Sequence, residues 1–305
     1  MTLVGAVDIG GTKIAAGLVA ADGTVLRQLS VPTPAAEGPQ AVLDAAAELV
    51  TELGEPVLAV GVGSAGVINP LSGRVLSATD ALPGWAGTDL RGGLGARLGV
   101  PVSVDNDVHA HALGEAWRGA ASGVRHTLLV AVGTGIGGSQ VVDGRVRQGA
   151  HNAAGHVGHM PLPEANGRRC PCGGFGHAEA VAAGPALLAE YRRRCGDPGP
   201  RDLADVAALA ERGDATARQV LEEGATALGR LIGGLVNLLD PDLVLVTGGV
   251  ANCGPVWWSS LRTGCHAEAL PPLRTVPLEP GLLGHRAPLL GAARLALDLV
   301  PELTA

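Results

Sequence analysis

Aromatic side chains are scarce: one Phe, one Tyr and four Trp make up 2% of 305 residues. An aromatic core is excluded, and the 47% hydrophobic residues must build an aliphatic, alanine-rich one. Lysine is nearly missing as well. Lys13 stands alone, every other basic residue is arginine, and no basic run occurs. With a formal net charge of −7, nucleic acid is not an expected partner. Long apolar runs are also missing. The best candidate for a membrane span, residues 231 to 250, is broken by Asp240, Pro241 and Asp242, so no membrane is expected. The opening MTLVGAVDIGG has neither a basic leader nor a cleavage site, which argues against a secretion signal. Five cysteines, two of them clustered, suit a reducing cytoplasm with a metal site better than a disulfide scaffold.

What is present is a repeated pattern. Residues 3 to 11 read as a buried strand entering a glycine turn, followed by a second strand, an Asp22-Gly23 hairpin and a third strand. Residues 126 to 146 repeat strand, glycine turn, strand, Asp-Gly hairpin and strand. Between them lie a helix over 39 to 53, a strand over 57 to 66 that ends in small residues at Gly66, and a strand, polar turn and helix over PVSVDNDVHAHALGEAWRG. A long helix is predicted over 215 to 239, then a strand entering the turn at Thr247-Gly248-Gly249. Two similar halves predict a duplicated α/β chain of two lobes around a cleft. The small lobe is expected over 1–112 plus 288–305, and the large lobe over 113–287.

Three glycine turns each follow a strand: Asp8 to Lys13, Gly133 to Gly138, and Thr247 to Gly249. Glycines there let backbone N–H groups approach a phosphate where a side chain would clash. Gly10, Gly11, Gly133, Gly135, Gly137, Gly248 and Gly249 are candidates for that task, with hydroxyl donors from Thr12 and Thr134 and charge from Lys13. Asp8, at a strand end, can hold Mg²⁺ through water. None of the turns is a P-loop or a Rossmann fingerprint.

CPCGGFGH, residues 170 to 177, is a metal motif. Cys170 and Cys172 offer thiolates, and His177 and the preceding His159 offer imidazoles. Four N/S ligands make a closed tetrahedral Zn²⁺ set with no open position, so the zinc would be structural. The remaining cysteines, Cys195, Cys253 and Cys265, are scattered and read as ordinary thiols. The histidines of VHAHA read as a helix surface.

The order VDIGGTK, VDNDVHA, VAVGTGIGG, AAGHVGHM, CPCGGFGHAE, VTGGVA resembles the ROK family of bacterial sugar kinases over nearly the whole chain. The resemblance implies the actin-like, ribonuclease-H-like ATPase fold. It implies ATP with its phosphates on the first two turns and its adenosine near Gly248 and Gly249, and a homodimer. A kinase of a sugar hydroxyl needs a carboxylate to receive the hydroxyl proton. By resemblance Asp107 is that base and Asn106 binds the sugar, with Gly66 beside them. The plain alternative is that Asp107 only caps the following helix. The family binds zinc with one His and three cysteines, and His177 stands where the third cysteine is usual. Glu179 and the free nitrogen of His159 would bind sugar hydroxyls on a loop that zinc orders.

His156 departs from the Glu usual in family glucokinases and matches N-acetylmannosamine kinases. Asp80, near the Pro-Gly-Trp of the sugar loop, suits a protonated amine such as that of kanosamine. The expected reaction is ATP-dependent phosphorylation of the 6-hydroxyl of a hexose or amino-hexose: N-acetylmannosamine, glucose or kanosamine. The alternatives are a sugar-sensing regulator, for whose helix-turn-helix no room is seen before Leu3, and a non-catalytic sugar-binding protein.

Overall fold

The computed structural model describes residues 2–79, 81–196 and 199–300, so Asp80 lies outside the described residues. The chain forms two compact units. The first comprises the residues up to Arg125, Ser139–Ala154 and those from Leu282 onward. The second comprises His126–Gly138 and Gly155–Gly281.

In the first unit the elements run β1 (Leu3–Ile9), β2 (Lys13–Ala20), β3 (Val25–Pro32), α1 (Pro39–Glu52), β4 (Val60–Ser64), β5 (Val67–Asn69), β6 (Arg74–Ser77), α2 (Leu90–Leu98), β7 (Val102–Asn106) and α3 (Asp107–Arg118). The boundary expected at residue 112 thus falls inside α3. Five strands pair in the order β3-β2-β1-β4-β7, with β1, β4 and β7 parallel. β1 is buried along most of its length, as a strand covered on both faces requires. Its alternation divides the core. Val7 and Ile9 join Val42, Leu43 and Ala46 of α1, whereas Val4 and Ala6 join Leu289 and Leu290 of the last helix.

The second unit holds β8 (His126–Val132) and the start of β9 (Ile136–Val142), whose later residues run into the first unit and turn at Asp143-Gly144 into β10 (Arg145–Val146). Then come α4 (Glu179–Ala182), α5 (Gly184–Cys195), α6 (Leu203–Glu211), α7 (Ala215–Leu239), β11 (Leu243–Thr247), α8 (Pro255–Glu268) and β12 (Leu278–Pro280). The final helix, α9 (Ala287–Leu297), belongs to the first unit. The second sheet, β10-β9-β8-β11-β12, repeats the strand order of the first, so the duplication seen in the sequence is present in the fold. The predicted apolar stripe of α7, including Val220, Leu221, Leu228 and Ile232, is buried with Leu128, Val130 and Val246 of the strands.

α3, which begins at the candidate base, is held by an unusually close helix crossing. A Cβ on Gly291 of α9 would collide with the Ala110 carbonyl, and one on Gly114 would collide with the Ala287 carbonyl. Only glycine permits this approach. Among the described residues no helix is long and apolar enough to cross a membrane.

Candidate functional site

In the first unit the parallel strands end level: Ile9 lies opposite Ser64, and Ser64 opposite Asn106. This register gathers Asp8, Asn106 and Asp107 at the carboxyl ends, where open α/β sheets place ligands. Gly63 sits between the acids. A Cβ there would lie 3.5 Å from the Asp107 Cα and 3.9 Å from Asp8 Oδ1. Burial pushes the half-buried Asp8 carboxyl up to about 7, the Asp107 charge adds to the rise, and Lys13 opposes it. Asp107 is raised too, by burial, against the pull of hydrogen bonds from Val108 and Asn106 and the charge of His109.

The expected alternative for Asp107, a bare helix cap, is corrected by the geometry. Asn106 is the N-cap: its Oδ1 accepts from the backbone N–H groups of Val108 at 2.9 Å and His109 at 3.2 Å. Its Nδ2 donates to the Gly66 carbonyl and to Asp107 Oδ1, both at 2.9 Å. Asn106 therefore aims the carboxylate beside it, and Gly66, at φ +102°, supplies the acceptor that fixes the amide. In the first glycine turn the Gly10 N–H donates to the Lys13 carbonyl at 3.0 Å, while Thr12 and Lys13 are exposed. Gly11 is packed so that a Cβ would sit 3.2 Å from the Ala81 carbonyl oxygen.

In the second unit the glycine turn 133–138 and the HVGH stretch form one cluster. The Gly133 N–H donates to the Gly135 carbonyl at 2.9 Å, and the Gly138 N–H to the Gly155 carbonyl at 2.6 Å. Thr134 is exposed, Gly137 is part of β9, and His156 is exposed beside Gly155. Glu179 Oε2 accepts from the Ile136 N–H at 2.8 Å. In the third turn a Cβ on Gly248, at φ +95°, would collide with the Val132 carbonyl, so that position admits glycine alone; Gly249 is open around its Cα.

The four metal candidates meet. One ligand atom from each of His159, Cys170, Cys172 and His177 lies within 4.8 Å of the others. His159 Nδ1 is 3.6 Å from Cys170 Sγ, and His177 Nδ1 is 3.2 Å from Cys172 Sγ. Two thiols and two imidazoles at this separation fit a tetrahedral zinc ion. The loop is shaped for it. Gly173 (φ +90°) and Gly176 (φ +78°) take left-handed turns, and a Cβ on Gly174 would sit 2.7 Å from His177 Cε1. Burial, and then the neighbouring Cys172, raise the Cys170 thiol to about 11, so a cation is needed to hold the thiolate. Zinc bound here would tie the 159 and 170–177 segments to each other and supply no open position for chemistry.

The expectation that VHAHA forms a helix surface is corrected: His109 is 3% exposed and bonded to Asp105. The i,i+4 spacing of Asp105 and His109 was the available signal. Cys253 and Cys265 are buried thiols that burial raises, Cys253 to about 12, and Cys195 is exposed.

Known proteins agree with this architecture. The chain is 32% identical over 276 residues to the glucokinase of Thermotoga maritima, 86% of each being covered. It is 32% identical over 302 residues to the N-acetyl-D-glucosamine kinase of Escherichia coli O6:H1, covering 95% of this chain and 98% of that one. Among solved structures, the ROK family glucokinase from Streptomyces griseus in complex with glucose and AMPPNP superposes with a TM-score of 0.85 at 30% identity, covering 97% of this chain and 99% of that one. The fold is the actin-like ATPase fold, as the motif order implied. The model of the ROK family matches residues 4–299, so the chain, motif by motif and over almost its full length, belongs to the ROK family.

Proposed function

We propose that the protein is an ATP-dependent sugar kinase that phosphorylates the 6-hydroxyl of a hexose or amino-hexose. The observation that carries the reading is the Asn106–Asp107 pair. A carboxylate with a raised proton affinity stands at the end of a parallel strand, aimed by a capping amide that is itself fixed to Gly66. Asp107 Oδ2 receives the hydroxyl proton as the sugar oxygen forms its bond to the terminal phosphorus, and the bond from that phosphorus to the ADP oxygen breaks. The turns at Gly10–Lys13 and Gly133–Gly137 receive the phosphates, and Gly248 and Gly249 border the adenosine. Asp8 holds Mg²⁺ through water, where the ion would neutralise charge on the transferred group. Glu179, His156 and His159 bind the sugar, and zinc on His159, Cys170, Cys172 and His177 orders their loop.

Relatives that act on glucose and on N-acetyl-D-glucosamine share about the same identity with this chain, which supports the class and leaves the sugar to experiment. His156 offers both a donor and an acceptor where a carboxylate only accepts, and this favours a sugar other than plain glucose. A homodimer in the cytoplasm belongs to the same reading. The test is ADP release over glucose, N-acetylglucosamine, N-acetylmannosamine and kanosamine. Turnover with one of them and ATP is expected. Sugar binding without turnover of any would replace the kinase by a sugar-binding regulator.

A further inference from the structure

Under the Asn106–Asp107 corner lies a buried charged network. Asp105 and His109 are each 3% exposed. Asp105 Oδ1 accepts from the Asn106 backbone N–H at 2.7 Å and lies 2.9 Å from His109 Nδ1. Its Oδ2 accepts from Gln148 Nε2 at 2.6 Å. The other ring nitrogen, His109 Nε2, lies 3.2 Å from the Ala154 carbonyl oxygen. Both ring nitrogens therefore face acceptors, and only the imidazolium donates to both. A neutral ring would set a lone pair against an oxygen, and it would leave Asp105 a buried carboxylate without a cation. Burial works against the charged ring, but Asp105, the Ala154 carbonyl and the Asp107 charge outweigh it and raise its proton affinity. From His109 a continuous chain of hydrogen bonds leads through Asp105 to the Asn106 backbone, and the Asn106 amide holds Asp107.

We propose that His109 is a positioning residue: clamped as an imidazolium between Asp105 and Ala154, it fixes the β7–α3 corner and thereby aims the Asp107 carboxylate. The same clamp ties that corner to the segment carrying Gln148 and Ala154. The inference rests on Asp107 being the base. It adds a residue that never touches substrate and whose loss alters turnover more than binding. A displaced reacting group lowers rate steeply, while the contacts that set affinity stay in place.

The test uses the full chain with the sugar and ATP that support turnover. His109→Gln retains a donor without charge and is expected to lower kcat by about 10- to 100-fold with both KM values within about threefold. In an Asp107→Asn background the same change is expected to lower the residual kcat less than about twofold, because no carboxylate remains to be aimed. Wild-type protein labelled at its imidazole nitrogens is expected to show both His109 nitrogens protonated by NMR at neutral pH, a measurement that needs no variant to fold. A neutral His109 ring, a kcat within twofold of wild type, or a fully additive loss in the double variant would overturn the proposal. If Asp107→Asn keeps wild-type turnover, the base assignment itself fails. If Asp107→Asn is inactive and His109→Gln is not, the base stands and only the positioning role falls.

Discussion

Glu179, the first residue of α4, reaches back to the glycine turn before β9 and accepts the Ile136 N–H at 2.8 Å. A Cβ on Gly135 would lie 2.7 Å from the same carboxylate oxygen, so the turn and the acid are built against each other. A side chain assigned to the sugar therefore also shapes a turn assigned to phosphate. Glu179→Gln keeps an acceptor for Ile136 and should raise the sugar KM while sparing the ATP KM. Glu179→Ala leaves that N–H without its partner, a loss of about 1–3 kcal/mol, and should raise both. Equal effects of the two substitutions on both constants would break the link.

Asp107→Asn removes the proton acceptor and preserves the shape. The helix cap is untouched, because Asn106 provides it. We expect turnover to fall on the order of 10³-fold, within the usual range for a general base, with the melting temperature unchanged or higher. A rate within tenfold of wild type would reject the assignment.

The acids at the strand ends make stability depend on pH in a definite direction. Asp8 has a folded pKa of about 7, above its unfolded value near 3.8. Between these values the folded chain binds a proton that the unfolded chain does not, so this group's contribution to stability declines as pH climbs from about 4 to about 7. A tenfold change in proton affinity between the two states corresponds to about 1.4 kcal/mol. Asp8→Asn should therefore match wild type near pH 4 and melt higher than wild type at pH 8. A melting-temperature difference that does not grow across this range would contradict the environment described for Asp8.

Zinc removal should loosen the loop and weaken the sugar together. Metal analysis is expected to give one zinc per chain, and chelation to lower the melting temperature and raise the sugar KM. Gly174→Ala offers a milder version, since its Cβ would press on the His177 ring at 2.7 Å. That variant should hold zinc less tightly while retaining all four ligands. Metal-free protein with unchanged melting temperature and sugar KM would remove the structural role.

Much of this was legible in the sequence, because local rules carried it. The strand-turn-strand repeats carry continuous apolar runs that are buried almost throughout, α7 has a 3.6-residue stripe, and four N/S ligands sit close in sequence around His159 and Cys170–His177. What escaped depends on contacts distant in sequence. His109 looks like a surface histidine until Ala154, 45 residues away, closes over it, and Gln148 gives no sign that it faces Asp105. The cap at Asn106 was missed for a different reason. Adjacent Asn and Asp are both good caps, and only backbone angles tell which one precedes the helix.

The glycine crossing of α3 and α9 bears on synthesis. Gly291 and Ala287 emerge only after the whole second unit has been translated, yet their backbone packs directly on the helix that begins at Asp107. A nascent chain can complete its second sheet while Val4, Ala6 and Ala15 still lack their cover from Leu289 and Leu290. Competence is thus withheld until α9 has been made, and a message truncated before α9 should yield a product with an open hydrophobic face in place of a partly active kinase.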